Sequence, residues 1–146
     1  MTEQNRTIQE TQIRTVIDAW AEAIRNKDAD SVVRHNAPGF VHFSLAPPLK
    51  SAPTDTKDLD GWFDTWRGPI GYEFHDLNIM TGDDTAFSHG LVRLSGTKVD
   101  GHAADVWFRH TFGFRRIGGA WKIVHEHESV PFYMDGSMRA SVDLKP

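Results

Sequence analysis

A chain of 146 residues has room for one domain with its own core. A net charge of −4 without a basic run gives no nucleic-acid face, and the absence of cysteine excludes disulfides and thiolate metal sites. The opening MTEQNRTIQE carries no apolar signal core, and no segment approaches ~20 apolar residues, so the expectation is a cytoplasmic protein with no membrane or nucleic-acid partner.

Residues 1–6 read as a loose tail. From Thr7 to Lys27 the residues Ile13, Val16, Ile17, Trp20 and Ile24 recur at helical spacing. Asp28 is placed to cap a short second helix through His35, and Asn36-Ala-Pro-Gly breaks it. Phe40–Leu45 reads as a strand, and the proline-rich 46–56 as a loop able to overhang a pocket. Lys57–Arg67 reads as a third helix carrying Leu59, Trp62, Phe63 and Trp66, ended by Gly68-Pro69. Four strands follow: Gly71–Thr81, Thr85–Lys98, His102–Arg116 and Trp121–Val130. Turn residues separate them as consecutive antiparallel hairpins. Helices gathered in the first half and a meander in the second define an α+β domain. It is read as one domain over 1–146, with 133–146 as a C-terminal extension.

The last strand, WKIVHEHESVPF, is the informative one. Strict alternation puts Trp121, Ile123, His125, His127 and Ser129 on one face and Lys122, Val124, Glu126, Glu128 and Val130 on the other. On the preceding strand Val106, Phe108, Phe112 and Phe114, with His110 among them, form the core set. The hairpin loop then decides which ionisable residues join that core. A three-residue loop, Gly118–Ala120, pairs Ile117 with Trp121 and brings Phe112 beside Glu126 and His110 beside Glu128. A two- or four-residue loop slips the pairing by one and turns His125 and His127 inward. Gly-Gly suits loops of two and of three residues.

The element order and the segment DGHAADVWFRHTFGFRRIGGAWKIVHEHESVPF resemble the nuclear transport factor 2-like superfamily, in particular its SnoaL-like, ketosteroid-isomerase-like members. Arg109-x-Thr111, then Trp121 and His125-x-His127-x-Ser129, is also similar to the association domain of calcium/calmodulin-dependent kinase II. The resemblance spans roughly residues 7–132. It implies a curved antiparallel sheet forming a cone closed by the three helices, a pocket in its concave side, and a homodimer built through the sheet. A pocket acid of the limonene epoxide hydrolase branch matches Glu126, and a pocket arginine of the kinase domain matches Arg93, which favours the glutamates inside. The steroid-isomerase triad is missing. Its base position falls near Phe43, its tyrosine near Trp20 and its oxyanion acid near Phe112.

Two readings stay open. In one, a SnoaL-like enzyme of isomerase, cyclase or hydrolase type moves a proton on an apolar carbonyl-containing ligand. Glu126 and His110 are then catalytic, with burial raising the pKa of Glu126. Arg93, Glu128, His42, His89, Trp20 and Phe112 contact the substrate. Trp107, Arg109, His125 and His127 form the dimer interface, or the pocket if the register slips. In the other reading the chain is a non-catalytic ligand-binding or assembly module. No cofactor is expected. A metal held by His125-x-His127, with His42 or Asp105 as third ligand, is the weaker alternative, because the element order does not suit a barrel-type metal fold.

Overall fold

A computed structural model describes residues 1–146. Helix α1 (Glu3–Arg25) starts earlier than the apolar pattern alone indicates, because Thr2 caps it by accepting from the Asn5 amide at 3.1 Å. It buries Ile13, Ile17, Trp20, Ala21 and Ile24 on one stripe. Each large side chain so buried contributes about 1.5–3 kcal/mol, far more than helix propensity does. Asp28 caps the short α2 (Ala29–Val33), as its position in the sequence indicates.

Strand β1 (Asn36–Phe43) begins four residues before the expected Phe40. Proline and glycine do not break it because it lies at the sheet edge, and its register shifts between Asn36 and Val41, where Gly39 has φ of +79°. Helix α3 (Lys57–Phe63) is shorter than expected, and Trp66 opens β2 (Trp66–Thr81) instead of ending the helix. Buried Trp66 packs against Trp62 at 5.7 Å, with the Lys98 ammonium 3.9 Å from its ring centroid. β3 (Thr85–Lys98), β4 (Ala103–Ile117) and β5 (Ala120–Ser129) complete the meander.

The sheet order is β1-β5-β4-β3-β2. The α+β class holds, but two features of the expected architecture are corrected. The sheet is mixed, since β1 runs parallel to β5. It is also open: β1 and β2 form its two edges and do not pair with each other, so no closed cone exists. The core lies between the α1 stripe and one sheet face, where Tyr72, Val92, Phe108, Phe112, Phe114 and Ile123 are buried. The C-terminal segment folds back on itself through a Phe132–Ala140 bridge and a Tyr133–Asp143 hydrogen bond, and Ser141 is buried.

The β4–β5 hairpin departs from the expected pairing and reaches the same result by another route. Its loop has two residues, Gly118 and Gly119, with Ile117 paired to Ala120. Both glycines have positive φ, +59° and +81°, the requirement of a two-residue primed turn. Left alone, this register would turn the histidines inward. However, Phe114 pairs with Ile123 and Gly113 with His125, so β5 holds one extra residue, Val124. That bulge reverses the alternation. Trp121 and Ile123 face the core before it, and Glu126 and Glu128 face the same side after it. An isolated glycine within an apolar strand, Gly113, was the available signal of a bulge.

Candidate functional site

The bulge brings two adjacent inward positions of β5 against an inward histidine on each neighbouring strand. Glu126 lies opposite Phe112 on β4 and His42 on β1, and Glu128 lies opposite His110. His110 Nε2 is 2.8 Å from Glu126 Oε2, buried on both sides. His42 Nε2 is 2.5 Å from Glu128 Oε1 and 3.4 Å from Glu126 Oε1. The cluster is graded in access. The His42 side chain is 23% exposed, Glu128 14%, Glu126 6% and His110 1%. His42 is therefore the mouth, and His110 the floor.

Aromatic rings line the floor. Phe112 and Phe74 meet the His110 ring edge-on at 4.2 and 5.1 Å, and Trp20 lies 6.0 Å away. Above the mouth, the segment after β1 folds back, and Ser51 exchanges two backbone hydrogen bonds with His42 at 2.9 and 3.0 Å. Two surface hollows, of about 410 and 270 Å³, lie elsewhere, around the β2–β3 turn and beside the start of α1. Neither contains a carboxylate or an imidazole, so chemistry rather than size selects the buried cluster.

Three of the groups, His42, Glu126 and Glu128, shift one another's pKa values. Burial alone would depress His42, but the charges of Glu126 and Glu128 and the bond to Glu128 outweigh it and raise its pKa to about 9. Burial also pushes Glu126 up, yet the His42 charge and the His110 bond hold it below the ordinary carboxylate value. Glu128 is raised, first by burial and then by the Glu126 charge beside it. This corrects the expectation for Glu126: the carboxyl shifted toward neutral pH is Glu128, because Glu126 has two imidazole partners and Glu128 bonds to one.

Several other expected site residues lie outside the cluster. Arg93 alternates with the buried Val92 and Leu94, so it points to the opposite sheet face and makes a forked pair with Asp105 at 3.0 and 2.8 Å. His89 alternates with buried Ser88 and is exposed beside Phe87. Trp20 and Phe112 are buried and pack edge-on at 5.1 Å. Trp107, Arg109, His125 and His127 lie on the outer face. Trp107 contacts His75 at 4.7 Å, Arg109 bonds Ser129, and the His125 Nδ1–H donates to the Val41 carbonyl at 2.8 Å. The sequence reading missed Tyr72, although Ile70, Tyr72 and Phe74 alternate as an inward set; Ile70 and Tyr72 are buried and Phe74 partly so.

His42, Glu126 and Glu128 each place one ligand atom within 4.8 Å of the others, a set able to surround a divalent cation. The proton held by His42 already fills that role, and a cation has to displace it. His125 and His127 do not join His42 or Asp105 in such a set, since His42 is inside and Asp105 is bound to Arg93.

The SnoaL-like domain model matches residues 13–133, most of the chain. The protein belongs to the SnoaL-like family. The fold agrees with this. An NTF2-like protein of unknown function from Pseudomonas putida is 31% identical, with a TM-score of 0.85 over 96% of this chain and 98% of that one. The association domain of C. elegans calcium/calmodulin-dependent kinase II shares 19% identity at a TM-score of 0.68, covering 87% and 99% of the two chains. A candidate dehydratase of the NTF2-like family from Streptomyces avermitilis shares 15% at 0.74, covering 85% and 97%. At those identities the last two show the fold alone. No curated protein matches the chain. No helix of this SnoaL-like protein is long and apolar enough to cross a membrane.

Proposed function

We propose that this SnoaL-like protein binds a small, mostly apolar carbonyl compound at the His42–Glu128 end of the cluster and moves a proton on it. Glu128 removes the proton beside the carbonyl, because its raised pKa makes it the stronger base of the two carboxylates. The C–H electron pair becomes the enolate, and protonated His42 supplies the compensating charge. Glu126, ionised and held by His110, keeps His42 charged and in place; it is a positioning residue. One observation carries this reading: two carboxylates in one buried cluster are driven in opposite directions, as a site with divided acid and base duties requires.

The test follows exchange of the methyl protons of acetophenone in deuterium oxide by NMR. The wild-type protein should catalyse exchange, and Glu128→Gln should lose it by about a hundredfold or more. Full exchange in that variant removes Glu128 from the chemistry. Absence of exchange in the wild type, with acetophenone bound, leaves a binding protein.

A second, compatible reading concerns assembly. The half-buried Trp107, in tilted contact with His75, shares the outer sheet face with Arg109 and His127 and presents a surface for a second copy. The expected state is a homodimer in sedimentation. A His125→Ala/His127→Ala variant that stays dimeric and equally stable would remove these residues from the interface.

A further inference from the structure

The Tyr72 hydroxyl has no hydrogen-bond partner, although it is buried away from solvent. Such a group costs free energy in the empty protein and calls for an explanation. Its ring has little freedom to find a partner by moving. Trp20 meets it edge-on at 5.4 Å, Phe74 at 5.7 Å and Phe108 at 6.1 Å. The backbone is held too, since Arg25 donates to the Tyr72 carbonyl at 2.8 Å. Tyr72 adjoins the floor of the cluster, because Trp20 and Phe74 each touch both its ring and that of His110, at 5.4 and 6.0 Å and at 5.7 and 5.1 Å. Burial, then the charges of Glu128 and Glu126, push its pKa well above the ordinary phenol value, so the hydroxyl keeps its hydrogen to donate.

The polar lining on this side is also short of free cations. Arg93 is paired on the other sheet face, Arg25 is engaged with the Tyr72 carbonyl, and Lys27 with the Trp66 carbonyl at 2.7 Å. His42 is shared between two carboxylates. An anionic ligand would meet ionised Glu126 with no unpaired cation to offset it. A neutral oxygen acceptor would instead complete the orphan donor without adding charge.

We infer that Tyr72 is the specificity-determining donor of this site, giving its hydroxyl hydrogen to the neutral carbonyl oxygen of the ligand and so selecting neutral over anionic compounds. This rests on the proton-transfer reading for the ligand's orientation, with the carbonyl at Tyr72 and the adjacent C–H at Glu128. It adds the residue that holds the oxygen and the ligand charge that is refused.

The experiment compares wild type and Tyr72→Phe with three matched probes: acetophenone, benzoate and ethylbenzene. Acetophenone should bind the wild type, benzoate should not, and Tyr72→Phe should weaken acetophenone about tenfold while leaving ethylbenzene unchanged. Without ligand, Tyr72→Phe should raise the thermal midpoint by about 2–4 °C, because it deletes an unpartnered buried hydroxyl. A fall in that midpoint, equal acetophenone affinity in the two proteins, or preferential binding of benzoate overturns the assignment. The two ideas fail separately. Loss of exchange in Glu128→Gln with no effect of Tyr72→Phe removes only Tyr72. Tyr72-dependent acetophenone binding without exchange removes only the chemistry. No binding by any probe overturns both.

Discussion

The two faces of the sheet carry ion-pairing side chains in opposite circumstances. On the inner face His42 and His110 meet Glu126 and Glu128 within a buried cluster, and the pKa values of His42, Glu126 and Glu128 depend on their neighbours. On the outer face Arg93 and Asp105 form a well-aligned forked pair, with side chains 42% and 37% exposed. By geometry alone the outer pair is the better bond. Solvent reverses the ranking, because water screens the outer charges and already hydrates them, while the inner ones have only each other. Pairs of a base and a carboxylate are therefore surface chemistry on one side of the sheet and a candidate active site on the other.

The largest way to break this contrast is to insert one alanine between Val124 and His125. With the bulge kept at Val124, residues 125–129 turn over, placing the imidazoles inside and both carboxylates outside. The insertion should cost about 5 kcal/mol or more in urea unfolding, at the upper end of single-site effects. An insertion variant with wild-type stability would show that the β4–β5 register does not set the inner face.

Next comes truncation within each pair. Glu126→Ala strands His42 and His110 without their shared acceptor and should cost about 3–5 kcal/mol in chemical denaturation. Arg93→Ala should leave the unfolding curve nearly unchanged. Equal losses from the two variants would contradict the ranking of the faces.

The pH dependence sharpens the contrast at intermediate size. His42 rises from an ordinary 6.5 to about 9 in the fold. Its contribution is thus complete below about pH 6.5 and disappears as the pH climbs through about 9, a loss on the order of 3 kcal/mol. Glu128, also raised, contributes fully below the ordinary 4.5 and loses that contribution as the pH rises through its folded value. Glu126 has the opposite sign: its contribution is present above the ordinary 4.5 and fades as the pH falls through its lower folded value. Thermal midpoints across this range should decline on the alkaline side for wild type and flatten for His42→Gln. Parallel curves would remove His42 as the source.

The smallest effect concerns the turn that feeds the bulge. Gly118→Ala or Gly119→Ala forces a side chain into positive φ and should cost about 1 kcal/mol each, with no change in the inner cluster. A larger loss, or altered acetophenone exchange, would mean that turn and bulge do not set the register independently.

Periodicity and turn residues were enough to determine the α+β class, the helical α1 stripe and, to within a residue, the boundaries of β3, β4 and β5, because these follow from local spacing and backbone preference. The inward set on β4, including His110, was legible for the same reason. Alternation with Val92 and Leu94 also placed Arg93 outside, but similarity to another domain's pocket obscured it. Tertiary structure alone decided that the sheet stays open and that β1 joins β5 in parallel, since strand partners far apart in the chain leave no local mark. It also decided the glutamates' orientation, through one extra residue at Val124 that packing imposes and strict alternation cannot show. Only that packing brought His42 and Tyr72 near the carboxylates: at His42 burial lowers the pKa and the two glutamates more than reverse it, and at Tyr72 burial and the glutamates both raise it.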